Sequence, residues 1–489
     1  MPDVQQTAVR GPHAVALGLF LLVWLSVVWF GSNAFNPNNS TRLFAAIALV
    51  ENHDASIDRF EALTIDKARF GGRTYMDKTP GMTLMALPGV ALTDVATGDR
   101  AADHPADLVA PDFARFLQLR QQVVVATTSA LLLGLAAVLL LDLATGVTGS
   151  PGAGLATALA YALGTPAWGW SSTLFGHAPV GALLMIATWA TWRGTSGARE
   201  ATRWRYPVML GACLGWAVVV ELPAVLPGAV IGLWAMWRAR GLPNRWTLAA
   251  IAAAAGIVAL LPLLAYNQIA FGQWFRIGYQ GVVGFDGMKQ GLFGLTWPHP
   301  DVLAQIIAGP RRGLLYVAPV LLLAPFGLAA LIRTRETRDL GVMATALVVV
   351  VLLYNASYFY WDGGYSTGPR HAIPACAFLA LGIAPLWQAW GRRGRGVVVA
   401  LLSLSIAVNL SIAAAEVTAD DQVPFPLYDP VLRKMLALDI RTLPSDWWGW
   451  PTWQGLALYL VLAGPLLWFV LRATGLSERR IGNNLRTVA

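Results

Sequence analysis

Two short stretches carry charge where charge is expensive. TYMDKTPG (74–81) sets Asp77 beside Lys78, then Pro80 and Gly81, just before an apolar run that begins at Met82. WDGGYSTGPRH (361–371) puts Arg370 where the chain enters another apolar run. A charge next to lipid is costly unless water, a partner or an ionic ligand compensates it. Upstream of Lys78 the same segment supplies Asp54, Asp58, Asp66 and Lys67. A solvated loop of mixed charge accounts for that composition. The sharper reading is an anion site with a carboxylate base alongside, because a lysine at a helix start is a point charge suited to a lipid phosphate. Arg370 either snorkels to headgroups or binds a phosphate with its fork. His177 in TLFGHAPV and Glu221 in VVVELPAV stand at the ends of further apolar runs. Ionisable groups at such places are functional candidates, with a helix-packing hydrogen bond as the plainer alternative. The GxSxG match at Gly364–Gly368 needs a strand–turn–helix that is missing here, and is chance.

The elements that must position these residues are transmembrane helices. The 489-residue chain is 56% hydrophobic and 13% charged, with a mean hydropathy of +0.55. That profile is one of an all-α polytopic membrane protein, not a soluble enzyme. About twelve spans fit the length rule for crossing a bilayer: 14–31, 121–143, 152–170, 179–192, 207–222, 223–237, 247–269, 313–331, 340–358, 372–390, 397–415 and 454–472. The first follows Arg10 and contains Trp24 and Trp29, and reads as an uncleaved anchor. Basic residues crowd the segments 192–205, 238–245, 333–338 and 391–396 and the tail with Arg472, Arg479, Arg480 and Arg486. The positive-inside rule makes that side cytoplasmic, both termini included, as in a bacterial inner-membrane protein. The net charge of +8 is thereby spread over loops rather than gathered as on a nucleic-acid-binding surface, and no nucleic-acid partner is expected. Cys213 and Cys376 lie far apart in apolar runs and read as small buried residues.

On this topology the cytoplasmic loops are short and the exported segments long: 32–120, 270–312, 359–371 and 416–453. Any chemistry faces outward. Residues 1–489 form one membrane domain, with a helical core at 121–270 and further helices and loops over 271–489. Within the first exported loop, residues 82–96 read as a helix lying at the membrane interface, since a thirteenth span there would place every arginine cluster outside. Pro80 and Gly81 suit its start. Trp168, Trp170 and Trp237 read as parts of an interfacial belt. Trp447, Trp448, Trp450 and Trp453 add a second aromatic cluster.

An outward site excludes cytoplasmic nucleotide donors and favours a substrate delivered within the membrane. A sugar joined to a polyprenyl chain through phosphate fits. Its leaving group is a phosphate monoester with a second pKa of about 6, so it departs without a general acid. One carboxylate base for the acceptor hydroxyl and a set of cations for the phosphate then suffice. Tyr75, Lys78 and Pro80 in Tyr-x-Asp-Lys-x-Pro, after one span and a long acidic loop, resemble the GT-C glycosyltransferases, among them lipid A aminoarabinose transferase and the protein O-mannosyltransferases. The resemblance implies a GT-C-like fold with a large first extracytoplasmic loop. It also implies Lys78 on the donor phosphate, with Arg370 as second cation and Lys67 and Arg42 as further phosphate-binding candidates. The chain departs from the pattern at Asn38-Asn39-Ser40-Thr41-Arg42, where the family's early acid is missing although Arg42 is in place. The base therefore falls to Asp66 or Asp58, with Asp77 as a third candidate. His177, Glu221 and Tyr75 are candidates for substrate or metal contact, and a divalent cation (Mg, Mn, Ca or Zn) on His177 with a carboxylate is left open. Expected partners are a polyprenyl-phosphate-linked sugar, membrane lipid, and an envelope glycan, glycolipid or protein acceptor. A secondary transporter or flippase, or a polymerase or ligase using diphosphate-linked donors, are the rival readings. Transporters of this size usually show two related halves and small outer loops, and neither is visible here.

Overall fold

The computed structural model describes residues 11–31, 36–197 and 203–475. Part of the first basic loop, Arg479, Arg480 and Arg486 of the tail, and both chain ends lie outside the described residues. Eight helical stretches among the described residues are long and apolar enough to cross a membrane. They are Pro12–Trp29, Pro111–Thr148, Leu222–Ala239, Arg245–Phe271, Arg338–Ser357, Arg370–Ala389, Arg392–Ala415 and Thr452–Ala473. Three shorter apolar helices, Gly81–Thr97, Arg205–Val220 and Pro319–Arg333, join them. Several of the expected spans appear as shorter or broken helices. The 152–170 run stops at Ala162 and resumes at Ala167 after Pro166. The 313–331 run is interrupted at Ala318-Pro319. Proline removes a helix hydrogen bond and disfavours helical geometry in the residue before it.

The segment 32–120 is more helical than its polarity suggests. Asn36 caps a helix at Pro37–Asn52, its side chain accepting from the Asn38 N–H, with Pro37 at the first position. That start uses a donor-poor residue where donors are orphaned. Residues Asn39 through Ala48 are buried. A short hairpin follows, Ala68–Phe70 paired antiparallel with Arg73–Tyr75. The expected helix over 82–96 is present at Gly81–Thr97, packed against Pro37–Asn52 and Pro111–Thr127. Asp94 and Arg120 fasten it to the latter through a buried ion pair at 2.5 Å. The next helix starts at Pro111, ten residues before the expected 121, so the loop is shorter than its sequence implies.

The centre of the bundle is the helix His177–Gly194, buried along almost its whole length. It packs on Ser129–Thr148, on Arg205–Val220 and on the turn Arg370–Ala375. Trp168 and Trp170 belong to this core rather than to an interfacial belt. Both are buried, and Trp168 donates to the Ser26 carbonyl at 2.9 Å. Trp237 remains on the surface. Trp168 and Trp170 sit on the short helix Ala167–Ser171, which packs against Ser129–Thr148, His177–Gly194 and Arg392–Ala415.

Candidate functional site

The turn that joins the hairpin to Gly81–Thr97 is pressed against the end of Arg205–Val220. A Cβ on Gly81 would lie 2.5 Å from the Val220 backbone, so only glycine permits this approach. Thr79 secures it, its hydroxyl donating to the Val220 carbonyl at 2.7 Å. Asp77 and Lys78 are thereby brought beside Glu221, the residue that ends the same helix. From the opposite side come Arg370 and His371, which open the turn Arg370–Ala375, and His177, the first residue of its helix. Gly363 makes room for the arginine: its φ is +76°, and a Cβ there would meet Arg370 Nε at 2.6 Å.

These groups line a cavity of about 190 Å³. Arg42, Lys78 and Arg370 face Asp66, Asp77 and Glu221, with His177, His371, Tyr279 and Tyr358 completing the polar wall. Lys78 Nζ lies 2.6 Å from Asp77 Oδ2 and 3.6 Å from Asp66 Oδ1. Arg42 Nη2 lies 2.7 Å from Glu221 Oε1, and its Nη1 donates to the Asn38 side chain. The lysine is held between two carboxylates at the wall of this polar chamber.

Four buried polar atoms in the wall have no hydrogen-bond partner among the described residues: Nε of Arg42, Nε of Arg370, Nε2 of His371 and Oδ1 of Asp77. Unpaired buried polar atoms of this kind are rare and mark a place where a ligand completes the network. Arg370 rests instead on aromatic faces, 4.6 Å from the Phe175 ring centre and 5.9 Å from that of Trp170. Burial pushes the Asp77 carboxyl up to about 6, with Lys78 pulling the other way and the Asp66 charge adding to the rise. Burial works against the Lys78 ammonium, but Asp66 and Asp77 outweigh it and hold its pKa above the ordinary value, so it stays charged.

Not every candidate reaches the cavity. Asp58 is exposed and serves the hairpin, accepting from Arg73 Nε at 3.1 Å and from the Thr74 N–H at 2.6 Å. Lys67 turns away and donates to the Glu61 carbonyl at 2.7 Å. Tyr75 is buried against Phe70 and Phe271 and supports the hairpin from below. The three were grouped with the site by nearness in sequence. The 3-10 helix Asp58–Leu63 and the hairpin hold them in local contacts instead. In return the structure adds His371, Tyr279, Tyr358 and the pairing of Arg42 with Glu221. His371 was adjacent to Arg370 in the sequence and could have been found there. The tyrosines carried no signal beyond being aromatic near an interface.

Among the described residues no group of three or more His, Cys, Asp and Glu side chains stands at metal-ligand spacing. His177 has the His371 ring as neighbour, 4.8 Å between centres.

No family model and no curated protein matches this sequence. Solved structures do. The crystal structure of ArnT from Cupriavidus metallidurans bound to undecaprenyl phosphate aligns over 94% of this chain and 76% of its own, with 14% identity and a TM-score of 0.51. The same enzyme in the apo state aligns over 96% of this chain and 74% of its own, with 15% identity and a TM-score of 0.54. The likeness extends over nearly the whole chain, which therefore has the fold of ArnT.

Proposed function

We propose that this protein is a polyprenyl-phosphate-sugar-dependent glycosyltransferase acting at the extracytoplasmic face of a bacterial inner membrane, with both termini in the cytoplasm. The observation that carries the reading is the pair of unpartnered guanidinium Nε atoms, on Arg42 and Arg370, around a cavity that also holds Lys78. Six charged side chains line it, three of each sign, so the site is neutral before a ligand arrives. A phosphodiester uses the orphaned donors and Lys78 without needing any existing pair to break. The fold it shares is one whose crystal structure holds undecaprenyl phosphate.

In the proposed reaction the acceptor hydroxyl attacks the anomeric carbon while a carboxylate takes its proton. The bond from that carbon to the phosphate oxygen breaks, and configuration inverts. Polyprenyl phosphate leaves, its new charge stabilised by Lys78 and Arg370. Asp66 is the base that fits best, with Asp77 as the neighbouring carboxylate that sets the charge of Lys78. The acceptor is an envelope glycan, glycolipid or protein.

The decisive test is reconstitution of the full chain in vesicles with a polyprenyl-phosphate sugar labelled in the sugar. Label appearing in a new glycosidic bond, with release of polyprenyl phosphate, is the expected result. Label that crosses the membrane with no bond formed makes the protein a transporter instead.

A pH effect follows from Asp77. Its proton is lost as pH rises through about 6. Below that value the carboxyl is neutral, one negative charge beside Lys78 is gone, and an anionic phosphodiester binds more tightly. Above it, binding weakens, by roughly three- to tenfold for one added charge at this range. The donor's own phosphodiester charge is constant across this window, so a titration of its Kd between pH 5 and 7.5 reads the protein's own groups, and comparison with Asp77→Asn isolates the part due to Asp77. Asp77→Asn is expected to flatten the curve at the tight-binding level.

A further inference from the structure

Behind the charged cavity lies a second, smaller chamber of about 80 Å³. The two share His177, Glu221, Tyr279, Tyr358 and His371 as a common wall. The remainder of the inner chamber is Tyr354, Val351, Val180, Ala224, Pro227 and Pro374. All three cations of the site belong to the outer chamber, and among the described residues no lysine or arginine lines the inner one.

We infer that the inner chamber receives the sugar ring of the donor and selects an uncharged sugar, a conclusion that rests on the glycosyltransferase reading above. Its wall alternates aromatic faces with hydroxyl and imidazole groups, the mixture that a ring with apolar C–H faces and equatorial hydroxyls requires. His371 gives the most pointed evidence. Its ring hydrogen-bonds the Tyr360 backbone, while its buried Nε2 has no partner. With the other nitrogen engaged, Nε2 is left as a free position at the shared wall, suited to a sugar hydroxyl.

The charge pattern narrows the class of sugar. Glu221 is the single carboxylate on the inner wall, and Arg42 already neutralises it at 2.7 Å. A uronic acid would bring a second carboxylate into a chamber with no cation of its own, where burial of an unpaired charge is strongly unfavourable. A neutral hexose or pentose meets no such cost. The phosphate then stays in the outer chamber on Lys78 and Arg370, and the anomeric carbon lies at the opening between the two, within reach of an acceptor entering from the outer side.

The test compares three probes on the full chain in lipid nanodiscs: polyprenyl phosphate without sugar, a panel of polyprenyl-phosphate neutral sugars, and the matching uronic acids. The wild type is expected to bind at least one neutral-sugar donor about tenfold or more tighter than its uronate counterpart. Val351→Phe, which fills the inner chamber, should weaken that donor by about tenfold or more and leave bare polyprenyl phosphate within about twofold. Tyr354→Phe keeps the volume and removes one hydroxyl, so it should weaken the donor by roughly three- to tenfold, again sparing the bare lipid. If Val351→Phe does not fold, Tyr354→Phe decides alone. Equal losses for donor and bare lipid, an unaffected donor, or a preference for the uronate would overturn the chamber's role. Failure of the wild type to bind bare polyprenyl phosphate would instead overturn the function on which the inference rests.

Discussion

Lys78→Ala is expected to lower sugar transfer by roughly 10²–10³-fold, the usual loss when one preorganised group facing a developing oxyanion is removed. The lysine is preorganised here by Asp77 at 2.6 Å and Asp66 at 3.6 Å, and its ammonium points into the cavity. Substitution also removes the cation that two buried carboxylates share, and leaving a buried charge unpaired is destabilising by roughly 3–5 kcal/mol. A thermal melt of the purified variant separates the two effects. Lys78→Arg retains the charge and should recover part of the stability, but the larger fork displaces the phosphate, so turnover should recover less. Wild-type turnover in a well-folded Lys78→Ala protein would remove the proposed site.

Asp66→Asn carries the second large effect. A side chain of nearly the same shape replaces the proposed base, and loss of a general base costs typically 10²–10⁴-fold. The drop should appear in kcat, with KM for the donor changed little, because the amide still occupies the same wall of the cavity. Asp77→Asn should do the reverse, changing donor affinity and its pH dependence more than kcat. Asp58→Asn is the control within the same segment. Its carboxylate is exposed and pairs with Arg73 on the hairpin, so turnover should stay within about twofold and stability within ~1 kcal/mol. A result in which Asp58→Asn is the dead variant and Asp66→Asn is active would invert the assignment made from the cavity.

The pairing of Arg42 with Glu221 explains a feature that the sequence left open. The early loop has asparagines and no acid just before Arg42. The partner of Arg42 comes instead from a residue 179 positions later, at the end of another helix. Nothing in local spacing announces such a contact, because it depends on how Pro37–Asn52 packs beside the end of Arg205–Val220.

Local chemistry alone determined a good deal. Apolar runs of span length, basic short loops and the Asp-Lys-x-Pro-Gly turn marked a membrane-embedded helical protein with an anion-seeking residue at a helix start, since hydropathy and turn propensity act over neighbouring residues. The helix Gly81–Thr97 and the pocket positions of Lys78, Asp66, Asp77, Arg370, His177 and Glu221 agree with that reading. The helix Pro37–Asn52 was hidden because its polar first turn looks like a loop, and its capping signal is visible only once the buried run behind it is known. Lys67, Asp58 and Tyr75 lie away from the cavity because the 3-10 helix Asp58–Leu63 and the hairpin engage their side chains locally, which nearness in sequence does not reveal. Tertiary packing alone decided which charges meet. Arg42 finds Glu221, the two histidines face each other, and the inner chamber closes, because those contacts join segments from four distant parts of the chain.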